Sequence, residues 1–526
     1  MASATSSRPQ LWAADTSKGH DSLIDPSIAE SDIVNTHLKP LEIQLQAPQR
    51  RPHRRYIKLI IICFLVIVLA APWIKMSILI SRGEDEPNPP LLPESMLVFY
   101  PPQNEHEMHE MQTLLNKYSD PILTWDEFIH SSNGNEVPNH QEFTHTSADH
   151  FSDKRTALLF TPGVYPLDIE IGYYTSLYGL GVHPDDVTFI GSKGPYVPSL
   201  DKFTDRPPNG SGLNSFWRSI ENIATKPQSE MTWAVSQAAP LRRIHVHGDL
   251  NLFDADAWVS GGFGSNLVVD GSINFGGQQQ WILRNANVNG ISGGAWNLVF
   301  VGCMGNIPGE TTSLEAGGPL VSVEDKPRVS LEKPYIVLKD QQIDDRINQV
   351  PRFELRVPKV MRRKDAIIAQ FHEDVEIRDF CRVKLVVPSV SLDVAMAATE
   401  NHSKIQKALD HGKDIVFSPG IYYLSSSLKI KHPNQVLLGL GYATLIAPTN
   451  GSPCIHVLNN VPGVRIAGIM LEASVLTEEQ KTKNSCLLQW GDNGIVDDGD
   501  ASNPGLLSGE YLYYVIYAYY QYTNAA

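Results

Sequence analysis

Basic charge, cysteine and long apolar runs are all scarce in this chain, and each scarcity removes a class of protein. The 526 residues carry 43 Lys and Arg against 58 Asp and Glu, a net charge of −15. The deficit is uneven: residues 81–526 hold 34 basic against 52 acidic groups, which excludes nucleic acid as a partner. Ionisable residues make up only 19% of the sequence, while 38 Gly and 36 Pro favour turn-rich β structure over helical bundles. Cys63 lies in an apolar run, and Cys303, Cys381, Cys454 and Cys486 lack metal-type spacing, so one or two disulfides stay open without a readable pairing.

The single long apolar run is the uncharged stretch Leu59–Ile74. With Lys58 and Lys75 snorkelling, residues 56–80 are long enough to cross about 30 Å of hydrocarbon. A leader of 55 residues before it is too long for a cleaved signal peptide, so the run reads as a transmembrane signal anchor in contact with the lipid bilayer. Arg50, Arg51, Arg54, Arg55 and Lys58 precede it; Glu84, Asp85 and Glu86 follow. Basic flanks stay cytoplasmic, so the expected topology is single-pass type II, with the C-terminal part extracellular or in the secretory lumen. Asn209 and Asn401 then stand in usable glycosylation sequons, and Asn450 in a poorer one because Pro453 follows.

One phrase occurs twice. Leu159-Phe160-Thr161-Pro162-Gly163-Val164-Tyr165 leads to Leu177-Tyr178-Gly179-Leu180-Gly181, and Val416-Phe417-Ser418-Pro419-Gly420-Ile421-Tyr422 leads to Leu437-Leu438-Gly439-Leu440-Gly441. The two Pro-Gly pairs lie 257 residues apart, so a domain-sized unit is duplicated. Around both copies run apolar stretches of three to six residues broken by Gly, Asn and Asp, including Arg243–His247, Leu267–Val269, Val436–Leu438 and Ile455–Val457. Short strands with such corners suit a parallel β-helix, in which each coil stacks its apolar residues on the coil below.

The expected organisation is a disordered cytoplasmic tail (1–55), the anchor (56–80), a Pro-rich extended stalk (81–103), a first β-helix (104–324), a connection (325–392), a second β-helix (393–510) and a Tyr-rich tail (511–526). Helices are expected at Glu105–Tyr118 and, as a cap on the second solenoid, at Ser403–His411. The second helix is shorter than the first and reads as incomplete. The tail, with seven tyrosines from Tyr511 to Tyr522, is either an aromatic sugar-binding strip or a terminal sequence unrelated to the fold, such as a truncated or mis-spliced end; the second is preferred.

Together with the doubled phrase, Ile171-Gly172-Tyr173-Tyr174-Thr175, Trp233-Ala234-Val235-Ser236-Gln237 and Gly277-Gln278-Gln279-Gln280-Trp281-Ile282-Leu283-Arg284-Asn285 resemble the pectin-lyase-like right-handed β-helix proteins. They look most like glycoside hydrolase family 55, exo-acting β-1,3-glucanases that join two such helices in one chain. The resemblance covers about residues 95–510 and implies an all-β fold of tandem right-handed parallel β-helices behind an N-terminal transmembrane helix. It also implies inverting hydrolysis, with a carboxylic acid on the leaving oxygen and a water held on the opposite face of the sugar. In that family the acid is a glutamate of the second helix, and polar side chains including a glutamine of the first position the water. Gln278, Gln279 and Gln280 match the glutamine, Gln279 foremost; the alternative is a structural amide ladder. No glutamate here is matched to the acid.

Trp281, Trp233 and Arg284 are the candidate substrate-binding residues, although tryptophans also fill space beneath loops and Arg284 and Asn285 could hold a turn. His245 and His247 share a strand face with Asp249 in phase, but without a further ligand they read as a polar face, so no metal and no cofactor is expected. Asp492, Asp497, Asp498 and Asp500 form an acidic loop, read as solvated. The expected function is a membrane-anchored, polysaccharide-acting, glycoside hydrolase-like protein. Two alternatives stand beside it: an inactive carbohydrate-binding or adhesion ectodomain, and a polysaccharide lyase, for which no cluster of Ca²⁺-binding aspartates is found. Nothing in the sequence decides the oligomeric state.

Overall fold

Parallel strand pairing organises the chain into two coiled stacks. The computed structural model describes residues 85–119, 153–198, 215–253, 259–311, 320–325, 327, 329–341, 350–362, 371, 374–475, 486–491 and 506–508. The expected tail and anchor (1–80), Asn209, the acidic loop and the Tyr-rich segment lie outside them. No helix among the described residues is long and apolar enough to cross a membrane.

In the first stack, strands Met96–Phe99, Thr156–Phe160, Thr175–Gly179, Ser219–Thr225, Leu241–Val246, Gly261–Asn274, Gln280–Arg284, Asn297–Val301 and Leu320–Glu324 pair in that order, every pairing parallel. Sequential parallel strands demand one full coil per strand. The second stack is a three-sided prism. Val383–Val386, Asp414–Phe417, Val436–Gly439, Arg465–Ala467 and Leu506–Ser508 form one side; strands starting at Ile421, Thr444 and Met470 form the second; strands starting at Leu428, Ile455 and Leu488 form the third. The fold is thus all-β with two parallel β-helices. The second begins at Val383, inside the segment expected to be connection, and the first begins at Met96, inside the expected stalk.

The doubled phrase spans two successive coils of each stack. Phe160 lies in register with Gly179, and Phe417 with Gly439. Tyr165 Oη reaches the carbonyls of Phe99 (3.0 Å) and Thr161 (2.8 Å); Tyr422 Oη reaches those of Val386 (2.8 Å) and Ser418 (2.9 Å). Each tyrosine therefore ties the Pro-Gly turn to the coil before it. Gly163 and Gly420 both have φ +154°, and a Cβ would lie 2.0 Å from Pro101 Cγ in one and 2.7 Å from Pro388 Cγ in the other. Backbone conformation and space both require glycine.

Two helices close the starts of the stacks. Helix α1 (Glu105–Leu115) is capped by Asn104, whose side chain accepts from Glu107 N–H, and passes into a 3-10 turn, Asn116–Tyr118. Helix α2 (Val394–Asp410) is capped by Asp393 and begins nine residues before the expected Ser403. Each helix turns one glutamine amide onto an unpaired edge. Gln112 donates to Asp168 O (2.7 Å) and accepts from Asp168 N–H (3.2 Å); Gln406 donates to Lys429 O (3.0 Å) and accepts from Lys429 N–H (2.8 Å). The amides satisfy backbone groups that have no coil beneath them. Asn401 does the same for Ser389 N–H and Tyr423 O and is 2% exposed, so a glycan on this side chain would displace both bonds.

The connection carries its own three-stranded antiparallel sheet, Tyr335–Gln341, Val350–Pro358 and Val375–Asp379. The expected stalk is laced to it rather than free. Asn88 donates to Phe353 O and Asp379 and accepts from Phe353 N–H, while Glu86 takes Lys384 at 2.7 Å and Lys413 at 2.6 Å. Prolines made this segment read as a spacer, but its polar side chains anchor it.

Two outcomes are expected in denaturant and thermal unfolding. Gly420→Ala loses more than about 1 kcal/mol, whereas Gly277→Ala, where a Cβ meets nothing within 4 Å, stays within about 0.5 kcal/mol. Burial works against the Glu86 charge, but Lys384 and Lys413 outweigh it and hold the carboxyl below its ordinary 4.5. Its contribution is therefore present above that value and lost as pH falls through and below it. The thermal midpoint should drop over this acid range more steeply in the wild type than in Glu86→Gln.

Candidate functional site

Two regions answer to the residues singled out in the sequence. The first is the strand Gln280–Arg284 and the turn before it. Gln278 is buried and its amide donates to Phe275 O at 2.6 Å, a turn-holding role. Gln280 is half-buried, and only Gln279 of the three opens its side chain to solvent. Trp281 and Trp233 are 1% and 0% exposed in the core of the first stack, and Trp233 Nε1 donates to Ala239 O at 3.0 Å. Neither offers a face to a sugar; the expectation that they bind substrate fails on burial. Arg284 sits 2.7 Å from Glu332, whose other carboxylate oxygen takes the Asn285 amide. Asn285 has φ +51°, so this network fixes a left-handed corner.

The second region lies where the two stacks meet. Tyr173 and Tyr174 (ring centroids 4.2 Å apart), Phe216 and Trp217 come from the first stack, and Tyr442 and Met470 from the second. Trp217 stands edge-on to Tyr174 at 5.3 Å, and Tyr442 lies 5.6 Å from Tyr174. The Arg155 guanidinium covers the Tyr174 ring at 4.2 Å and donates to Tyr442 O at 3.1 Å; Tyr442 Oη donates back to Ala238 O at 2.9 Å. Two of the phrases behind the family resemblance, Ile171–Thr175 and Trp233–Gln237, thus border the same patch.

Four non-glycine residues of this patch hold positive φ: Tyr174 (52°), Trp217 (63°), Ala238 (58°) and Tyr442 (63°). Side chains in this conformation cost energy that the surroundings must offset, and such residues gather at ligand sites. Burial raises the Tyr173 phenol above its ordinary value, with neighbouring Tyr174 adding to it. Burial also raises Tyr174; Arg155 opposes, while the charges of Glu472 and Asp153 reinforce. Both phenols remain protonated and able to donate at neutral pH. Tyr173, Tyr174 and Tyr442 are buried, whereas Phe216, Trp217 and Gln237 are half-buried and Glu472 is exposed, so aromatic surface, an amide and a carboxylate meet solvent together above a buried tyrosine layer.

A cavity deeper between the stacks, lined by Leu159, Tyr178, Leu438 and Leu440 and walled by the buried Lys333–Glu221 pair, measures about 20 Å³, room for one water rather than a sugar.

The sequence quoted Tyr173 and Tyr174 without assigning them a role, and passed over Phe216, Arg155, Tyr442 and Glu472. Proximity of residues some 270 positions apart was invisible without the docking of the stacks.

Coils of short parallel strands stacked on one another are the form of a pectate-lyase-like β-helix, and the comparisons agree. The model of the LAM55 pectate lyase-like domain matches residues 392–515. An exo-beta-1,3-glucanase of Streptomyces sp. (strain SirexAA-E / ActE) is 33% identical over 374 residues, 70% of this chain and 55% of that protein. The structure of sacteLam55A from Streptomyces sp. SirexAA-E matches with a TM-score of 0.59 at 29% identity, over 81% of this chain and 65% of that one. A glutamate-to-alanine variant of it in complex with glucose matches with a TM-score of 0.56 at the same identity and coverage. The chain is therefore glycoside hydrolase family 55-like, with the pectate-lyase fold. It spans less than two thirds of the length of each relative.

The network around Glu332 gives a test of structure against function. Glu332→Ala strips Arg284 of its buried counter-charge, leaving it Ser265 Oγ and Leu331 O, leaves Asn285 only Ser330 Oγ, and should cost about 3–5 kcal/mol in urea unfolding, while Gln279→Ala stays within about 0.5 kcal/mol.

Proposed function

We propose that this protein acts on a β-1,3-glucan or related glycan as a glycoside hydrolase, taking the sugar at the aromatic junction of its two β-helices. The observation that carries the reading is that junction: half-buried aromatics over a buried tyrosine layer and an exposed second-helix carboxylate, in a chain similar to an exo-beta-1,3-glucanase. The faces of Phe216 and Trp217 suit the apolar side of a pyranose ring, and Gln237 and Glu472 suit its hydroxyls. Glu472, at the end of the strand Met470–Glu472, is in this reading the proton donor to the leaving oxygen, and the exposed Gln279 remains the candidate to position the water. We further propose right-handed winding, in keeping with parallel crossovers generally, and a single-pass type II anchor at residues 56–80, supported by the basic flank Arg50–Lys58.

A second reading is glycan binding without hydrolysis, for which the half-buried aromatic surface of the junction would suffice. Laminarin separates the two. The full chain should release reducing ends; Trp217→Ala should weaken laminarin binding about tenfold or more, and Glu472→Gln should lower turnover at least about 10²-fold while leaving binding in place. Binding without any release in the wild type supports the second reading. Release undiminished in Glu472→Gln removes this residue from the reaction.

A further inference from the structure

On the first stack, away from the junction, three coils bring two histidines between two carboxylates. His245 belongs to the strand Leu241–Val246 and His247 follows it; Asp270 comes from the next strand, Gly261–Asn274, and Asp185 from the short 3-10 turn Pro184–Asp186 two coils earlier. The imidazoles lie with centroids 3.7 Å apart and their planes tilted by 39°. Asp185 Oδ1 stands 2.9 Å from both His245 Nδ1 and His247 Nε2. On the other side, Asp270 Oδ1 is 3.3 Å from His245 Nε2 and Oδ2 is 3.1 Å from His247 Nδ1.

All four ring nitrogens therefore face carboxylate oxygens. A neutral imidazole has one N–H and one bare nitrogen. Two neutral rings supply two donors for four contacts, and the other two contacts set a lone pair against a carboxylate. A divalent cation in place of the two missing protons removes the conflict.

We propose that Asp185, His245 and His247 form a binding site for a divalent transition metal of the zinc type. The three residues each offer a ligand atom within 4.8 Å of the others, with Asp185 Oδ1 next to both His245 Nδ1 and His247 Nε2, and a carboxylate with two imidazoles is a donor set suited to such ions. Asp270 takes the two remaining N–H groups, the usual outer partner that orients metal-bound histidines. Asp185 is the ligand side because it presents one oxygen to both rings, whereas the more exposed Asp270 divides its two oxygens between them. Asp249, in phase with the histidines in the sequence, instead accepts Ser272 N–H at 2.7 Å. The fourth position is left to water. The ion would pin three coils to one another, a cross-link in a fold without disulfides among its described cysteines.

The test uses the full chain stripped with a chelator and titrated with zinc, with cobalt as a spectroscopic substitute. One equivalent should bind, cobalt should show the absorption of a nitrogen- and oxygen-bound ion, and zinc should raise the thermal midpoint. Asp185→Asn keeps the shape and supplies an N–H to a bare ring nitrogen, so it should fold as well as the wild type yet lose the zinc-dependent rise and at least tenfold in affinity; His247→Gln should lose both likewise. Saturable binding and a midpoint rise undiminished in Asp185→Asn, or no one-equivalent binding by the wild type, overturns the site.

Discussion

The structure depends on one apolar contact between the stacks, and the two copies of the doubled phrase make it. Leu159, Tyr178 and Leu180 from the first copy share a buried cluster with Val416, Leu438 and Leu440 from the second, joined by Ile336, Leu338, Phe353 and Leu355 of the connecting sheet. Tyr178 Oη accepts Gly441 N–H at 2.9 Å, and Ser95 Oγ donates to Pro419 O at 3.1 Å. Strands here are buried on both faces: Leu158 and Phe160 point into their own stack while Ala157 and Leu159 point into the other. That is why the phrase is an unbroken apolar run rather than an alternating one.

Everything functional hangs from this contact. The aromatic junction continues it outward, with Arg155 and Tyr442 exchanging hydrogen bonds across the boundary, and the four left-handed residues are held there because packing on both sides fixes them. The Lys333–Glu221 pair sits in the same wall, where two charges out of water are retained only because each satisfies the other. The connecting sheet reaches the first stack through Leu338 N–H to Leu180 O.

Coil organisation was legible because short strands leave their apolar residues and corner glycines in plain sequence, and the duplication marked where each stack begins. Boundaries were less so. Strands Met96–Phe99 and Val383–Val386 were assigned to stalk and connection because proline and charge nearby outweighed four-residue runs. Helix α2 was read too short because Val394–Ala398 gave no periodic signal strong enough to extend it back to the Asp393 cap. In the candidate sites the error was one of burial: Trp233 and Trp281 have the chemistry of sugar platforms but sit inside the stack, and alternation along a strand cannot say which face is the core when neighbours on both are apolar. Left-handed corners at Tyr174, Trp217 and Tyr442 carry no sequence mark, since glycine and asparagine are the usual signals. Asp185 was missed because it lies 60 positions from His245.

The edge-closing amides of Gln112 and Gln406 and the shared cluster together give the chain a timetable. The first stack can be sealed at its start once Asp168 has followed α1, but the partners of its outer wall lie about 257 positions beyond Leu159. At ordinary synthesis rates that is roughly 15–50 s. Through that interval Leu159, Tyr178 and Leu180 lack their partners Val416, Leu438 and Leu440, so the growing chain presents this apolar wall to any chaperone, or to a neighbouring chain at the same stage.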